Sequence, residues 1–269
     1  MPRWLIISLV FLLILGAAQP AAAASYPNSI TALGDSITTA YDSTAFGSVP
    51  ANSWSTGASF FVNSMYLRIL AVNPQIYGRN VNLAVPGAQM VDLNSQASQV
   101  KRRVQFVTIL MGANDVCTPS VITMTDAATF RSQFDTAMQT LTKRASKATI
   151  YVLSIPDIYN LWSILKDNSS ARTAWSLFNI CQSLLANPLS TAQVDVDRRN
   201  AVRQRNIDFN TQLQEVCASY SQCRFDNNAV FNTAYVVSDV SPLDYFHPSL
   251  SGQAKLAGVA WNASGLATP

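Results

Sequence analysis

Apolar residues fall into short unbroken runs that alternate with stretches of helical spacing along most of the chain. Ser29 to Leu33 (SITAL), Asn80 to Val85 (NVNLAV), Gln105 to Met111 (QFVTILM) and Thr149 to Ile155 are four such runs, closed by Gly34, Pro86-Gly87, Gly112 and Pro156. Runs of this length and composition predict strands buried on both faces. A fifth short strand is expected near Ala229 to Phe231. Ser59 to Leu70, Val91 to Arg103, Asp126 to Ser146, about Asp197 to Ala218, and Ser249 to Trp261 read as helices. In the third, Phe130, Phe134, Ala137, Met138 and Leu141 form one face. Strands separated by helices predict a parallel sheet covered on both sides, a three-layer α/β fold. No repeat or linker divides the pattern, so residues 25–269 read as one domain. Thr38 to Gly57 and Pro156 to about Val196 exceed ordinary loop length. The second reads as a helical insertion.

The amino terminus does not belong to this pattern. Arg3 precedes a 14-residue apolar run from Leu5 to Ala18, and Pro20 is followed by four alanines. These are the three parts of a secretory signal, with cleavage expected near Ala24. A membrane anchor would need about 20 apolar residues, and no other stretch approaches that length, so a secreted chain without a membrane span is expected. Export makes disulfides the expectation for Cys117, Cys181, Cys217 and Cys223. Four cysteines allow three connectivities. The short Cys217-to-Cys223 loop favours a local bridge, which leaves Cys117 with Cys181. No CxxC pair supports zinc instead.

Charge then narrows the chemistry. The 269 residues include 18 Lys+Arg against 15 Asp+Glu, a net charge of +3 that argues against nucleic acid as partner. There is one histidine, His247, which excludes multi-histidine metal sites and leaves one candidate imidazole base. No metal or cofactor is implied.

Gly34-Asp35-Ser36 follows the first strand, and ligands of open parallel sheets bind outside the carboxyl ends of the strands. The segment after Ser36 is expected to begin a helix. A serine nucleophile needs a base, and His247 lies three residues after Asp244 in Asp244-Tyr245-Phe246-His247-Pro248. At that spacing the carboxylate can orient the ring and stabilise the imidazolium. Pro248 is expected to open the last helix. Gly87 and Asn114, in Pro86-Gly87-Ala88 and Gly112-Ala113-Asn114-Asp115, follow two further strands and offer donors for an oxyanion. Alone, each block also reads as a turn or a cap.

In order, GDSI, NLAVPGA, GAND and DYFH resemble the four blocks of the SGNH (GDSL) hydrolase superfamily, matched at Ser36, Gly87, Asn114 and His247. The wording is similar to that of phospholipase B-like and secreted bacterial lipases. The resemblance implies a flavodoxin-like sheet of five parallel strands and a serine esterase or lipase. It makes Ser36, Asp244 and His247 the triad and Ser36 N–H, Gly87 N–H and Asn114 the oxyanion hole, with Asp35 and Asn82 in support. Ile37 stands where the family name has leucine. The expected partner is a small-molecule or lipid ester, and the expected state a monomer. Alternatives are a polysaccharide acetylesterase on the same triad and a non-catalytic binding module. Asn168-Ser169-Ser170 and Asn262-Ala263-Ser264 are glycosylation sequons.

Overall fold

The computed structural model describes residues 26–267 together with Met1. The rest of the leader read at residues 1–24 lies outside the described residues. In chain order the elements are β1 (Ile30–Gly34), α1 (Met65–Val72), β2 (Asn80–Asn82), α2 (Leu93–Gln99), β3 (Phe106–Leu110), α3 (Ala113–Val116) and α4 (Ala127–Arg144). They continue with β4 (Thr149–Val152), α5 (Ile158–Leu165), α6 (Ser169–Leu177), α7 (Gln182–Leu185), α8 (Gln193–Ala218), β5 (Cys223–Phe225) and α9 (Leu250–Ala263).

The strands pair in parallel in the order β2-β1-β3-β4-β5. Alternate side chains of each strand enter opposite cores. Leu33, Val107, Ile109, Ile150 and Val152 meet α2, α4 and α8 on one face. Ile30, Phe106, Leu110 and Tyr151 meet α1 and α9 on the other. This is the three-layer α/β arrangement expected from the runs. Stacked rings of Phe130 and Phe209, 3.9 Å between centroids, join α4 to α8.

The register matters for function. Gly34 pairs with Leu110, so the chain leaves β1 and β3 side by side at the sheet's carboxyl edge. Gly34 has φ +154°, and a Cβ there would lie 2.5 Å from both Leu110 O and Thr38 Oγ1.

Three local expectations are corrected. The fifth strand is Cys223–Phe225, not Ala229–Phe231. Asp226 accepts the N–H groups of Asn228 and Val230, and Asn227 and Asn228 have positive φ, so that segment turns. Val230 is apolar because it fills the α1–α9 core, not because it pairs in the sheet. Secondly, the segment after Ser36 is a series of turns and not a helix, with Ala40 and Asp42 at positive φ. Thirdly, Pro248 lies before the cap of α9. Ser249 is the N-cap, accepting from Gly252 N, while Pro248 forms an isolated antiparallel bridge with Val240.

The insertion is helical, and disulfides fasten it and its surroundings. Cys117–Cys181 ties the end of α3 to the start of α7, and Cys217–Cys223 ties α8 to β5. No helix among the described residues is long and apolar enough to cross a membrane.

Replacing Gly34 with Ala should lower stability by about 3 kcal/mol, because the new Cβ meets backbone and a buried threonine at a φ that L-residues avoid. Urea unfolding of the variant beside the parent checks this.

Candidate active site

Ser36 stands at the turn that leaves β1. Its position is held from two sides by buried glutamines. Gln96 of α2 accepts the N–H of Gly34 and donates to its carbonyl, both at 2.9 Å. Gln253 of α9 donates to Ile37 O at 2.8 Å and accepts Trp54 N at 3.0 Å. Both side chains are buried. Neither was singled out from the sequence, although each sits on an apolar helix face, Gln96 beside Leu93 and Ala97, Gln253 beside Leu256 and Ala257. A glutamine in such a place has to find partners or leave polar groups unsatisfied.

The segment from Ser241 to Pro248 brings the imidazole to Ser36. His247 Nε2 is 2.8 Å from Ser36 Oγ and His247 Nδ1 is 2.5 Å from Asp244 Oδ2. The other carboxylate oxygen of Asp244 accepts the N–H groups of Phe246 and His247. Burial alone would raise the pKa of Asp244, but the hydrogen bond and charge of His247 and these two N–H groups hold it below the ordinary carboxylate value. Tyr41 and Phe246 flank the imidazole, with centroids at 5.1 and 5.0 Å.

A second carboxylate approaches this pair. One oxygen of Asp42 lies within 4.8 Å of ligand atoms of Asp244 and His247. Burial raises its pKa, the Gly47 N–H it accepts lowers it, and the charge of Asp244 raises it again, leaving it above the ordinary value. Asp42 escaped the sequence reading because nothing in its loop marks it.

The Gly87 and Asn114 blocks are fastened together. Asn114 Nδ2 donates to Ala88 O at 3.0 Å, and Gln89 Nε2 donates to Asn114 O at 3.0 Å. Asp115 accepts Met90 N and the Thr125 hydroxyl. Burial nonetheless pushes the Asp115 carboxyl up to about 6. Asn82 donates to Thr38 O at 2.9 Å and so braces the loop after Ser36.

Ser36, Asn114 and His247 line one cleft, whose empty volume is about 740 Å³ including its open mouth. Gly87 does not line it. It lies at φ +78° on a neighbouring depression with Pro86 and Ala88, although Ala88 is bonded to Asn114. Much of the opposite wall is α5, through Ile158, Leu161 and Ile164, with Tyr235, Val240 and Leu256 completing an apolar lining. The helix is pinned from several sides. Asp157 receives two bonds from Arg203, Asn160 donates to Tyr235 O, Trp162 donates to Pro188 O, and the Arg199 guanidinium stacks 4.5 Å from a Trp162 ring. Trp175 of α6 donates to Tyr245 O, which couples the insertion to the histidine turn.

The hydrogen-bonded Asp244–His247–Ser36 chain thus stands at the carboxyl edge of a parallel α/β sheet, and with the family match the fold is that of a carboxylic-ester hydrolase. The protein belongs to the GDSL-like lipase/acylhydrolase family, whose match runs over residues 30–258. No curated protein sequence matches the chain. Among solved structures, phospholipase A1 from Streptomyces albidoflavus NA297 is similar at 16% identity, covering 87% of this chain and 98% of that one, with a TM-score of 0.52. A family 3 carbohydrate esterase from Clostridium thermocellum is similar at 12% identity, covering 89% and 98%, with a TM-score of 0.51. A family 2 carbohydrate esterase from Corynascus thermopiles, with its carbohydrate-binding domain, is similar at 15% identity, covering 92% and 69%, with a TM-score of 0.50. At these identities the likeness is one of fold.

Asp35 gives the site a pH signature. It is buried, one oxygen accepting Ile37 N and the other unpartnered, and burial pushes its carboxyl up to about 7. The folded state therefore holds a proton that the unfolded chain releases near 3.8. Stability is fully present below that value and falls as pH rises through about 7. Asp35→Asn, which keeps the Ile37 contact, should remove this loss. Between pH 4 and pH 8 the parent should lose about 4 kcal/mol more than the variant. Denaturation at the two pH values measures the difference.

Proposed function

We propose that the protein hydrolyses carboxylic esters with apolar acyl groups, through Ser36, His247 and Asp244 and an acyl-enzyme intermediate. The observation that carries this reading is the continuous hydrogen-bond chain from Asp244 through His247 to Ser36, opening into a cleft walled by α5. His247 Nε2 takes the proton of Ser36 Oγ as the oxygen attacks the ester carbonyl carbon. The oxyanion is met by Ser36 N–H and Asn114 Nδ2 from the cleft, and the family resemblance adds Gly87 N–H, which approaches from the adjoining depression beside the Asn114–Ala88 bond. Among the described residues neither of the two N–H groups has a protein acceptor, and the Asn114 amide has a second hydrogen beyond its bond to Ala88. The alcohol leaves with the proton from His247. Water then loses a proton to His247, attacks the acyl carbon, and Ser36 regains its hydrogen.

Asp244 holds the imidazole in the tautomer that accepts from Ser36 and stabilises the imidazolium. Asn82 and Asp35 act as supports, the first on the loop after Ser36 and the second on the Ile37 N–H. The apolar α5 wall favours an acyl chain over an acetyl group as the occupant. The structural likeness to a phospholipase A1 accords with that choice, while the likeness to carbohydrate esterases keeps acetyl-ester cleavage as the competing outcome. The site works in a secreted protein: the Arg3, apolar-run and alanine pattern of the leader is that of a cleaved signal, and both disulfides accord with an oxidising compartment.

On p-nitrophenyl esters, kcat/KM should rise from acetate to octanoate by up to about fourfold for each methylene that α5 buries. A strict preference for acetate would overturn the acyl-chain reading. Ser36→Ala should abolish turnover and labelling by a fluorophosphonate. Asn114→Ala should lower kcat by about 10²–10³ with an unchanged fold by circular dichroism. Normal kcat in that variant removes Asn114 from the oxyanion site.

A further inference from the structure

In a parallel sheet every connection leaving a strand's carboxyl end emerges on one side of the molecule. Ser36 lies there, and two of the connections that leave that edge carry a series of exposed apolar side chains. Phe46, Phe60 and Phe61, on the connection after β1, are 80%, 86% and 77% exposed. The rings of Phe60 and Phe61 meet edge to face, 6.2 Å apart. Leu177 and Phe178, on the connection after β4, are 69% and 64% exposed. Val236, next to cleft-lining Tyr235, is 49% exposed. Soluble proteins rarely leave large apolar side chains gathered around one end.

The stretches that carry these side chains are free of charge. Residues 43–64, 173–194 and 227–238 contain no Lys, Arg, Asp or Glu, and these stretches carry all of the residues just named. The opposite end, where the chain returns to the strands, is basic. Arg79 precedes β2, the Lys101-Arg102-Arg103 run precedes β3, and Lys143, Arg144 and Lys147 precede β4, all exposed. The stretches that carry the exposed apolar side chains are therefore uncharged, the charges nearest the cleft are largely paired within the protein, as in Asp157–Arg203 and Asp239–Lys255, and an exposed cationic run lies where the chain enters the strands.

We propose that the carboxyl-edge face, with Phe46, Phe60, Phe61, Leu177 and Phe178 as its contact points, docks the enzyme onto a lipid surface of zero net charge. The occupant follows from charge. An anionic membrane or a nucleic acid would draw the basic end and turn the cleft outward. A zwitterionic surface leaves apolar insertion as the driving term and points the cleft at the lipid. The apolar cleft wall of α5 continues that surface inward, so an acyl chain can move from lipid to Ser36 without crossing water. The substrate side of this inference rests on the ester-hydrolase reading; the docking itself is measured without turnover.

The test uses the processed chain carrying Ser36→Ala, with phosphatidylcholine vesicles in a sedimentation assay. Binding should be seen, and it should change less than about twofold between 50 and 500 mM NaCl, since no charge is screened. Phe60→Ser with Phe61→Ser should reduce partitioning roughly 30-fold, the loss of two half-buried rings. Both side chains are exposed, so the fold should survive. Reversing Lys101, Arg102 and Arg103 to Glu should leave binding intact. In otherwise unmodified enzyme the Phe60 and Phe61 changes should spare hydrolysis of monomeric p-nitrophenyl butyrate and depress that of vesicle-borne ester. Absence of vesicle binding, or binding lost on reversing the basic run, overturns the proposal. So does a dimer that the phenylalanine changes dissolve, with no vesicle binding beside it. If vesicles bind but no ester is cleaved by Ser36-containing enzyme, the docking stands and the hydrolase reading falls.

Discussion

Gln253 holds together two parts of the chain that the proposed catalytic geometry requires to be in contact. Ser36 and His247 are separated by 211 residues, and a 2.8 Å bond between them tolerates little error in how the first strand sits against the last helix. Gln253 sits six residues after His247, on α9, and grips Ile37 O on one side and Trp54 N on the other. The buried Trp54 indole in turn donates to Thr38 Oγ1. The long connection after β1 is therefore an ordered strap rather than a mobile loop. On the far side Gln96 satisfies both polar groups of the Gly34 peptide, where the β1 ladder ends. The Gly34 carbonyl also accepts Val85 N, so it is the buried Gly34 N–H that depends on Gln96 for its partner.

The electrostatics of the site follow from the same crowding. Asp244 is the carboxylate with an imidazole and two N–H groups aimed at it, and its pKa is lowered despite burial. Asp35, Asp42 and Asp115 have fewer compensating partners, and burial raises each. One imidazole thus sits among carboxyl groups of unequal proton affinity. The group best stabilised as an anion is the one placed to orient His247.

The sheet's inner strands could be read from residues because burial on both faces leaves an apolar run with no competing interpretation. The fifth strand could not. Cys223-Arg224-Phe225 is a three-residue edge element with an exposed arginine, while Ala229-Val230-Phe231 is apolar for a packing reason. The helix expected after Ser36 fails for a related cause: its N–H groups are taken by Asp35 and by irregular turns rather than by an i to i−4 ladder. At the site, Ser36, Asn114, Asp244 and His247 were legible because each follows a strand end or a fixed spacing. Gly87 was legible as a turn, but its place on a neighbouring depression was not, because that depends on how Asn114 and Gln89 tie two loops. The bracing glutamines and Asp42 act through tertiary contacts that no local pattern encodes.

The insertion after β4 resolves into a fixed wall. A lid needs a few weak contacts to break when it opens. α5 instead has a paired Asp157–Arg203 bridge, two side-chain bonds to backbone and a guanidinium stacked on its tryptophan. α7 beyond it is covalently tied to α3, the helix that presents Asn114. Moving the wall would disturb the position of Asn114 as well. The cleft is consequently preformed, and its selectivity must come from the shape and polarity of Leu161, Ile164 and Ile158 rather than from closure. A rigid apolar wall confers little discrimination between chains differing by one methylene, so exclusion of the wrong ester falls to the polar groups around Ser36 and to whatever the cleft mouth faces.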